Sequence, residues 1–291
     1  MKNITKHHLM LQLLVFIWGW TPVLGKLITV QALQLVWFRI IIAIVSIVIY
    51  FIIVGHRFKV KTKHLWQLMG VGAIIAIHWA AFYHAIKIST VAVALTAFST
   101  GTLFTSLLEP FFYKRKLIWL ELVFGLVIIV AIGTIFKIET KYAAGICFGI
   151  FAAFTSSLFT VLNGLLVRDI EPHIVSIYEL SGGFVALSIY LLLTGEFNTS
   201  FFNISNNDYF WLIVLGTVAT AFPFIVSTYL LKKINPFTFS LALNLETIYS
   251  IIFAFLIWRK EEQMTFEFYI SALLILAVVF WNAILKSKMV K

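Results

Sequence analysis

Long apolar stretches separated by short polar breaks run the length of the chain. Ending each stretch where charge, Gly, Pro or Asn interrupts it gives ten. They are Leu9–Val30, Gln34–Val54, Leu65–Ile86, Thr90–Tyr113, Leu117–Phe136, Ala143–Val167, Ile174–Thr194, Asp208–Leu231, Pro236–Trp258 and Phe266–Leu285. A bilayer core about 30 Å thick takes roughly 20 apolar residues per helix, so each stretch predicts a membrane-crossing helix. The stretches are continuous, without the alternation of a barrel strand, which excludes a β-barrel. The first has no small-residue cleavage site and is too long for a signal-peptide core, so it is read as a retained span.

Composition agrees. Of 291 residues 62% are hydrophobic and 12% charged, with a mean hydropathy of +1.01. A soluble domain is about half apolar and a quarter charged, so little remains here for one. The net charge of +10 sits in the short breaks, where it sets topology rather than forming a nucleic-acid surface. Alternate breaks, beginning at the N-terminus, carry Lys2 and Lys6, then Arg57, Lys59, Lys61 and Lys63, then Lys114, Arg115 and Lys116. The series continues with Arg168, with Lys232 and Lys233, and with Lys286, Lys288 and Lys291. The other side holds only Lys26, Lys87, Lys137, Lys141, Arg259 and Lys260. This bias predicts both termini in the cytoplasm, as an even number of spans requires. A single Cys, Cys147, excludes a disulfide framework or a cysteine-built metal site.

The two halves resemble each other. Ile88-Ser89-Thr90-Val91 opens the fourth span and Ile234-Asn235-Pro236-Phe237 opens the ninth, 146 residues later. At that shift Tyr83 meets Tyr229, Lys87 meets Lys233 and Leu95 meets Leu241. Five spans therefore pair with five, over 1–140 and 141–291. Because five is odd, the second copy enters from the opposite side. The expected fold is an all-α membrane protein of ten helices in two inverted five-helix repeats, an architecture that opens to either face around a midplane site.

Two motifs carry a family resemblance. Trp18-Gly19-Trp20-Thr21-Pro22 with Lys26 and Arg39 resembles the opening of EamA-type transporters in the drug/metabolite transporter superfamily. Leu245-Glu246-Thr247-Ile248-Tyr249, followed by Arg259-Lys260-Glu261, resembles their ninth-helix pattern, with Thr247 where the family usually has Pro. The corresponding stretch of the first half, Ser99-Thr100-Gly101, lacks the acidic residue, and Arg115 takes the place of Glu261. The resemblance implies a central cavity, an inner-membrane location, and export of a small metabolite such as an amino acid.

Ionisable groups in hydrocarbon cost on the order of 3 kcal/mol or more, so they face a cavity, a partner or an interface. Glu246 lies ten residues into its span, about 15 Å deep at 1.5 Å per residue, with Ala242, Tyr249 and Ser250 on its face. It reads as an acid that binds a substrate ammonium or a proton, or as a structural carboxyl bonded to a neighbouring helix. Arg39 and Glu179 occur in the second span of each half, each about 8 Å from its start. They fit gates, or a cradle for substrate carboxylate and amine; Arg39 alternatively snorkels to headgroups. His78 is a candidate proton relay, or a neutral hydrogen-bonded core histidine.

Ser99, Thr102, Ser106 and Glu109 share one face of the fourth span and are read as lining a path, with Glu109 as a gate. Ser156, Thr160 and Asn163, continued by Gly149, Ala152 and Ala153 on the sixth, are read as close helix packing. Trp18, Trp20, Trp37, Trp79 and Tyr249 are candidate cavity walls, whereas Trp66, Trp119, Trp211 and Trp258 fit the interfacial belt. Pro22 and Pro223 permit bends, and Ser181-Gly182-Gly183 permits close approach.

The expected activity is secondary transport of a small-molecule metabolite, with protons as a candidate coupling ion and no cofactor or metal. No Walker sequence is present to use ATP directly. The alternatives are an intramembrane enzyme and a channel-like facilitator. The first lacks a His-Glu-x-x-His motif or paired mid-span aspartates, Asp169 and Asp208 being the only two and both beside loops. The second lacks a filter-like loop or ring of charges. Whether the protein is a monomer or a dimer stays open.

Overall fold

The computed structural model describes residues 2–56, 58–114, 116 and 119–289. Arg57, Arg115, Leu117 and Lys291, used in the charge, repeat and span arguments, lie outside the described residues. All regular structure within them is helical. α1 (Lys2–Trp18) and α2 (Thr21–Leu27) follow one another along a single span, then come α3 (Ala32–Val54) and α4 (Thr62–Ile88). α5 (Val91–Phe98) and α6 (Gly101–Tyr113) again share a span, followed by α7 (Trp119–Ile138). The second half has α8 (Ala143–Leu166), α9 (Pro172–Leu193) and the one-turn α10 (Thr199–Phe202). α11 (Asn206–Gly216) then joins α12 (Phe222–Leu231) through a wide π turn at Thr217–Ala221, before α13 (Pro236–Ile257) and α14 (Phe266–Met289). Eight described stretches are long and apolar enough to cross a membrane, making this a multi-pass membrane protein.

Three spans are interrupted, each for a local reason. Pro22, at the start of α2, has no N–H with which to continue the ladder of α1. Lipid cannot satisfy backbone carbonyls near such a break, and the Ser250 hydroxyl of α13 donates to the carbonyl of Gly19 at 2.9 Å. Pro223 likewise follows the π turn, where the Thr220 hydroxyl donates to the carbonyl of Leu215 at 2.6 Å. The fourth stretch, expected as one helix, divides at Ser99–Thr100 without a proline. There Ser99 and Thr100 hydroxyls bond back to the carbonyls of Thr96 and Ala97, both at 2.7 Å, and so compete with the backbone ladder.

The contacts between helices repeat when the halves are exchanged. α4 packs on α9 and α8, as α11 packs on α3 and α12 on α1. α6 meets α8 as α13 meets α1, and α3–α4 matches α9–α12. Three pairs map onto themselves: α3 with α9, α5 and α6 with α13, and α7 with α14. Large apolar side chains such as Ile53, Leu193 and Leu273 lie on the outer surface, where a soluble protein would place polar ones.

The α4–α9 contact is backbone on backbone. A Cβ built on Gly72 would run into the carbonyl oxygen of Glu179, and one on Gly182 would sit 2.5 Å from Met69 Cα. Close approach of small residues replaces the hydrophobic drive that lipid cannot provide. Gly72→Val should therefore lower stability by about 1–3 kcal/mol, as overpacking does. The detergent-purified variant should melt several degrees below the parent, whereas Gly70→Ala, with nothing within 4 Å, should match it.

Candidate functional site

A cavity with about 60 Å³ of room lies among the interrupted helices, space for a few waters. α1 and α2 contribute Trp18 and Thr21, and α3 contributes Arg39. α4 supplies His78, Trp79 and Phe82, while α8 supplies Ser156, Phe159, Thr160 and Asn163. The π turn and α12 bring Thr220, Phe224, Ser227 and Leu231; α13 closes it with Phe239, Leu243 and Glu246. Aromatic walls thus surround one cation, one acid, an imidazole, an amide and several hydroxyls.

Arg39 is 3% exposed and does not snorkel. Its Nε donates to Thr220 Oγ1 and its Nη1 to Tyr83 OH, both at 2.7 Å. The guanidinium lies 4.0 Å from the centre of the Trp79 ring, where the ring quadrupole attracts it. The π turn makes this possible: Gly216 lets α11 approach α3 until a Cβ there would sit 3.2 Å from the carbonyl of Arg39, and Thr220 is presented inward. The sequence marked neither Thr220 nor Tyr83 as a site residue, because their meeting with Arg39 depends on helix crossings that no local pattern encodes.

Glu246 lines the same cavity yet makes no hydrogen bond to protein and no ion pair within 4.0 Å among the described residues. His78 Nδ1 lies 2.8 Å from the carbonyl of Ala152. A carbonyl only accepts, so Nδ1 carries the hydrogen and the neutral ring keeps Nε2 as an acceptor. Acid, base and guanidinium therefore share one chamber.

The other expected site residues are placed elsewhere. Tyr249 packs against Phe16 and stacks on Phe253, away from the cavity. Trp20 is 39% exposed and stacks on Phe253 as well, and Trp37 is held among Phe184, Phe197 and Phe201. Ser99 and Thr102 line a second cavity of about 10 Å³ with Ser157, Asn244 and Thr247, at the lower bound for one water. Asn244 Nδ2 donates to Thr102 Oγ1 at 2.6 Å there, so this polar cluster joins α6 to α13 rather than lining the main chamber. The stripe on α8, expected to pack, does line it: Ser156, Thr160 and Asn163 all face the cavity. Periodicity marks a polar face but not which neighbour it meets. Glu179 is fully buried behind Asn163, whose Nδ2 donates to Glu179 Oε2 at 3.1 Å.

Glu109 accepts the backbone N–H of Phe237 at 2.8 Å and so holds the N-terminus of α13. Glu262 does the same for α5, accepting the N–H groups of Val91 and Ala92 at 3.1 Å. Val91 and Phe237 are the residues that the 146-residue shift aligns, so each half caps the other's fourth span, with the carboxylate favoured by the positive helix end. Glu262 is also bound by Lys26 at 2.8 Å, and Lys26 reaches the exposed Glu261 at 3.0 Å. Nearby, Asp208 accepts the N–H and hydroxyl of Thr29, and Lys87 donates to the carbonyl of Ile28. These contacts pin one end of the bundle. Leu231, by contrast, lines both the cavity and a pocket with Tyr113, Arg168 and Pro236 at the other end.

Matched halves of apolar helices around a polar chamber define a multi-pass membrane protein built by duplication. The profile described as the EamA-like transporter family matches residues 5–137 and again 143–284. The chain belongs to that family, membrane transporters of the drug/metabolite type. A crystal structure described only as that of a protein is 13% identical, with a TM-score of 0.66 over 94% of this chain and 96% of that one; at this identity it shows the fold alone. No curated protein matches.

Thr220→Val should strand Arg39 Nε in a chamber with little water, costing about 1–3 kcal/mol. Its melting temperature should fall by several degrees in purified protein. Thr217→Val, whose hydroxyl is exposed and bonds only to Ile213, should leave it unchanged.

Proposed function

We propose that the protein is a secondary transporter of the inner membrane that exports a small zwitterionic metabolite, such as an amino acid, by alternating access. The observation that carries this reading is that Arg39 and Glu246 line one aromatic-walled cavity without pairing with each other. An ion pair would neutralise both; held apart, they present a cation to a substrate carboxylate and an acid to its ammonium. His78 Nε2 and the hydroxyls of Ser156 and Thr160 add polar contacts, and Trp18, Phe98 and Phe239 suit an apolar side chain. An enclosed site with few convergent polar groups among apolar walls is typical of small-molecule binding.

In the topology that goes with it, residues 1–140 and 141–291 form two inverted five-span repeats with both termini in the cytoplasm. The exchange-symmetric contacts, the two matches to one family profile and the distribution of Lys and Arg support this arrangement. The end pinned by Lys26, Glu262 and Asp208 is then external, and Leu231 separates the chamber from the cytoplasmic end. Room for a few waters is too little for an amino acid, so loading requires the bundle to open on that side. Glu109 and Glu262, capping equivalent helices, are the contacts that rocking of one half against the other must strain or release.

Purified protein in liposomes, screened for flux of amino acids and related metabolites, tests the proposal. At least one zwitterionic solute should move faster than in empty vesicles. Arg39→Lys should cut that flux at least about tenfold, because an ammonium cannot reproduce the forked donors of guanidinium, and Glu246→Gln should reduce it comparably. Wild-type flux in both variants, or no solute moving, would remove the assignment.

A further inference from the structure

Behind the chamber wall lies a titratable carboxyl, Glu179, to which substrate binding gives no role. Glu179 Oε2 accepts from Asn163 Nδ2, while Glu179 Oε1 and Asn163 Oδ1 are both buried and have no hydrogen-bond partner among the described residues. These two adjacent side chains share one deficiency: each keeps an acceptor oxygen that no donor reaches among the described residues. Rotating the amide would exchange its two atoms but set oxygen against oxygen at the same 3.1 Å, so no choice of orientation supplies the missing hydrogen. One proton does. Placed on Glu179 Oε1, it neutralises the buried carboxyl and turns that orphan acceptor into a donor beside the Asn163 amide.

Glu179 is fully buried, and no Lys, Arg or His lies within 4.0 Å of its carboxyl among the described residues. The groups on the elements packed against α9 are engaged elsewhere. Arg39 of α3 bonds to Thr220 and Tyr83, and His78 of α4 bonds to the Ala152 carbonyl. Tyr229 of α12 reaches His7, and Ser176 and Thr228 pair with each other beside Pro172. On α9 itself His173 stacks on His56, and Glu171, just before the helix, faces Lys232 at 3.9 Å.

We propose that Glu179 is a proton-binding site, loaded in this conformation, and that Asn163 links it to the substrate chamber. Asn163 is the one member of the pair that lines the cavity. A solute that hydrogen-bonds the Asn163 amide competes with Glu179 for it, so solute binding and proton retention oppose each other through one side chain. The proton leaves Glu179 Oε1 for water when the amide turns to the solute, and returns when the solute departs. The linkage makes the transporter a proton–solute exchanger; it rests on the transport reading above, whereas the protonated acid does not.

Infrared difference spectroscopy of the purified protein in H2O and D2O tests the acid directly. At neutral pH the wild type should show the isotope-sensitive carbonyl stretch of a protonated carboxylic acid. Glu179→Gln should lose that band, Asn163→Leu should displace it, and Glu246→Gln should retain it. Subtraction of Glu179→Gln from wild type leaving only carboxylate bands would overturn the site. Liposomes containing a pH-sensitive dye and challenged with a mixture of the common amino acids test the coupling. Wild type should give a proton signal, and Glu179→Gln should exchange labelled amino acids without one. An unchanged proton signal in Glu179→Gln would overturn the coupling. No amino-acid movement in wild type would overturn the transport reading and the coupling with it, the spectrum then deciding the proton site alone.

Discussion

A guanidinium inside a bilayer protein is tolerated only where its donors are met, and Arg39 organises much of the bundle around that requirement. Its partners come from two elements: Tyr83 and Trp79 on α4, and Thr220 in the π turn between α11 and α12. The turn exists because Pro223 cannot continue the ladder, and the closeness of α11 to α3 depends on Gly216. Arg39 thus ties the second span of one half to the third span of the other. It also leaves the chamber with a fixed cation, and Glu246 lines the same chamber with no ion pair within 4.0 Å among the described residues.

Breaks in helices recur wherever the molecule needs a polar interior. An unbroken helix has few backbone groups to offer and cannot bend, while a broken one frees carbonyls that lipid will not satisfy. Here hydroxyls take them: Ser250 at Gly19 and Thr220 at Leu215. The same interruptions are points where a helix can bend, since its ladder is already open. The capping carboxylates Glu109 and Glu262 extend this pattern to the helix ends, each crossing from one half to the other.

Within the family, the opening motif and the ninth-span motif prove to be spatial neighbours. Lys26 of the first bonds to Glu261 and Glu262 beyond the second, and Ser250 bonds to Gly19. Two segments more than two hundred residues apart therefore build one end of the bundle together. The α4–α9 crossing, made by Gly72, Gly182 and Gly183, supplies a rigid contact next to the Glu179–Asn163 pair.

Hydropathy and the distribution of Lys and Arg determined, from the chain alone, that this is a helical membrane protein, because a bilayer constrains every spanning residue in the same way. The repeat was legible in Ile88-Ser89-Thr90-Val91 and Ile234-Asn235-Pro236-Phe237, which open α5 and α13. Arg39, Glu246 and His78 stood out because ionisable groups are costly in lipid wherever they point. Which polar faces meet one another was left to tertiary structure. Thr102 turns to α13, Ser99 bonds back to Thr96 beside the small second cavity, Ser156 and Asn163 turn to the chamber, and Tyr249 packs on Phe253 outside it. A helical stripe records only an angle about its own axis. The partner across that angle depends on how the helices cross, which is set by contacts between distant segments.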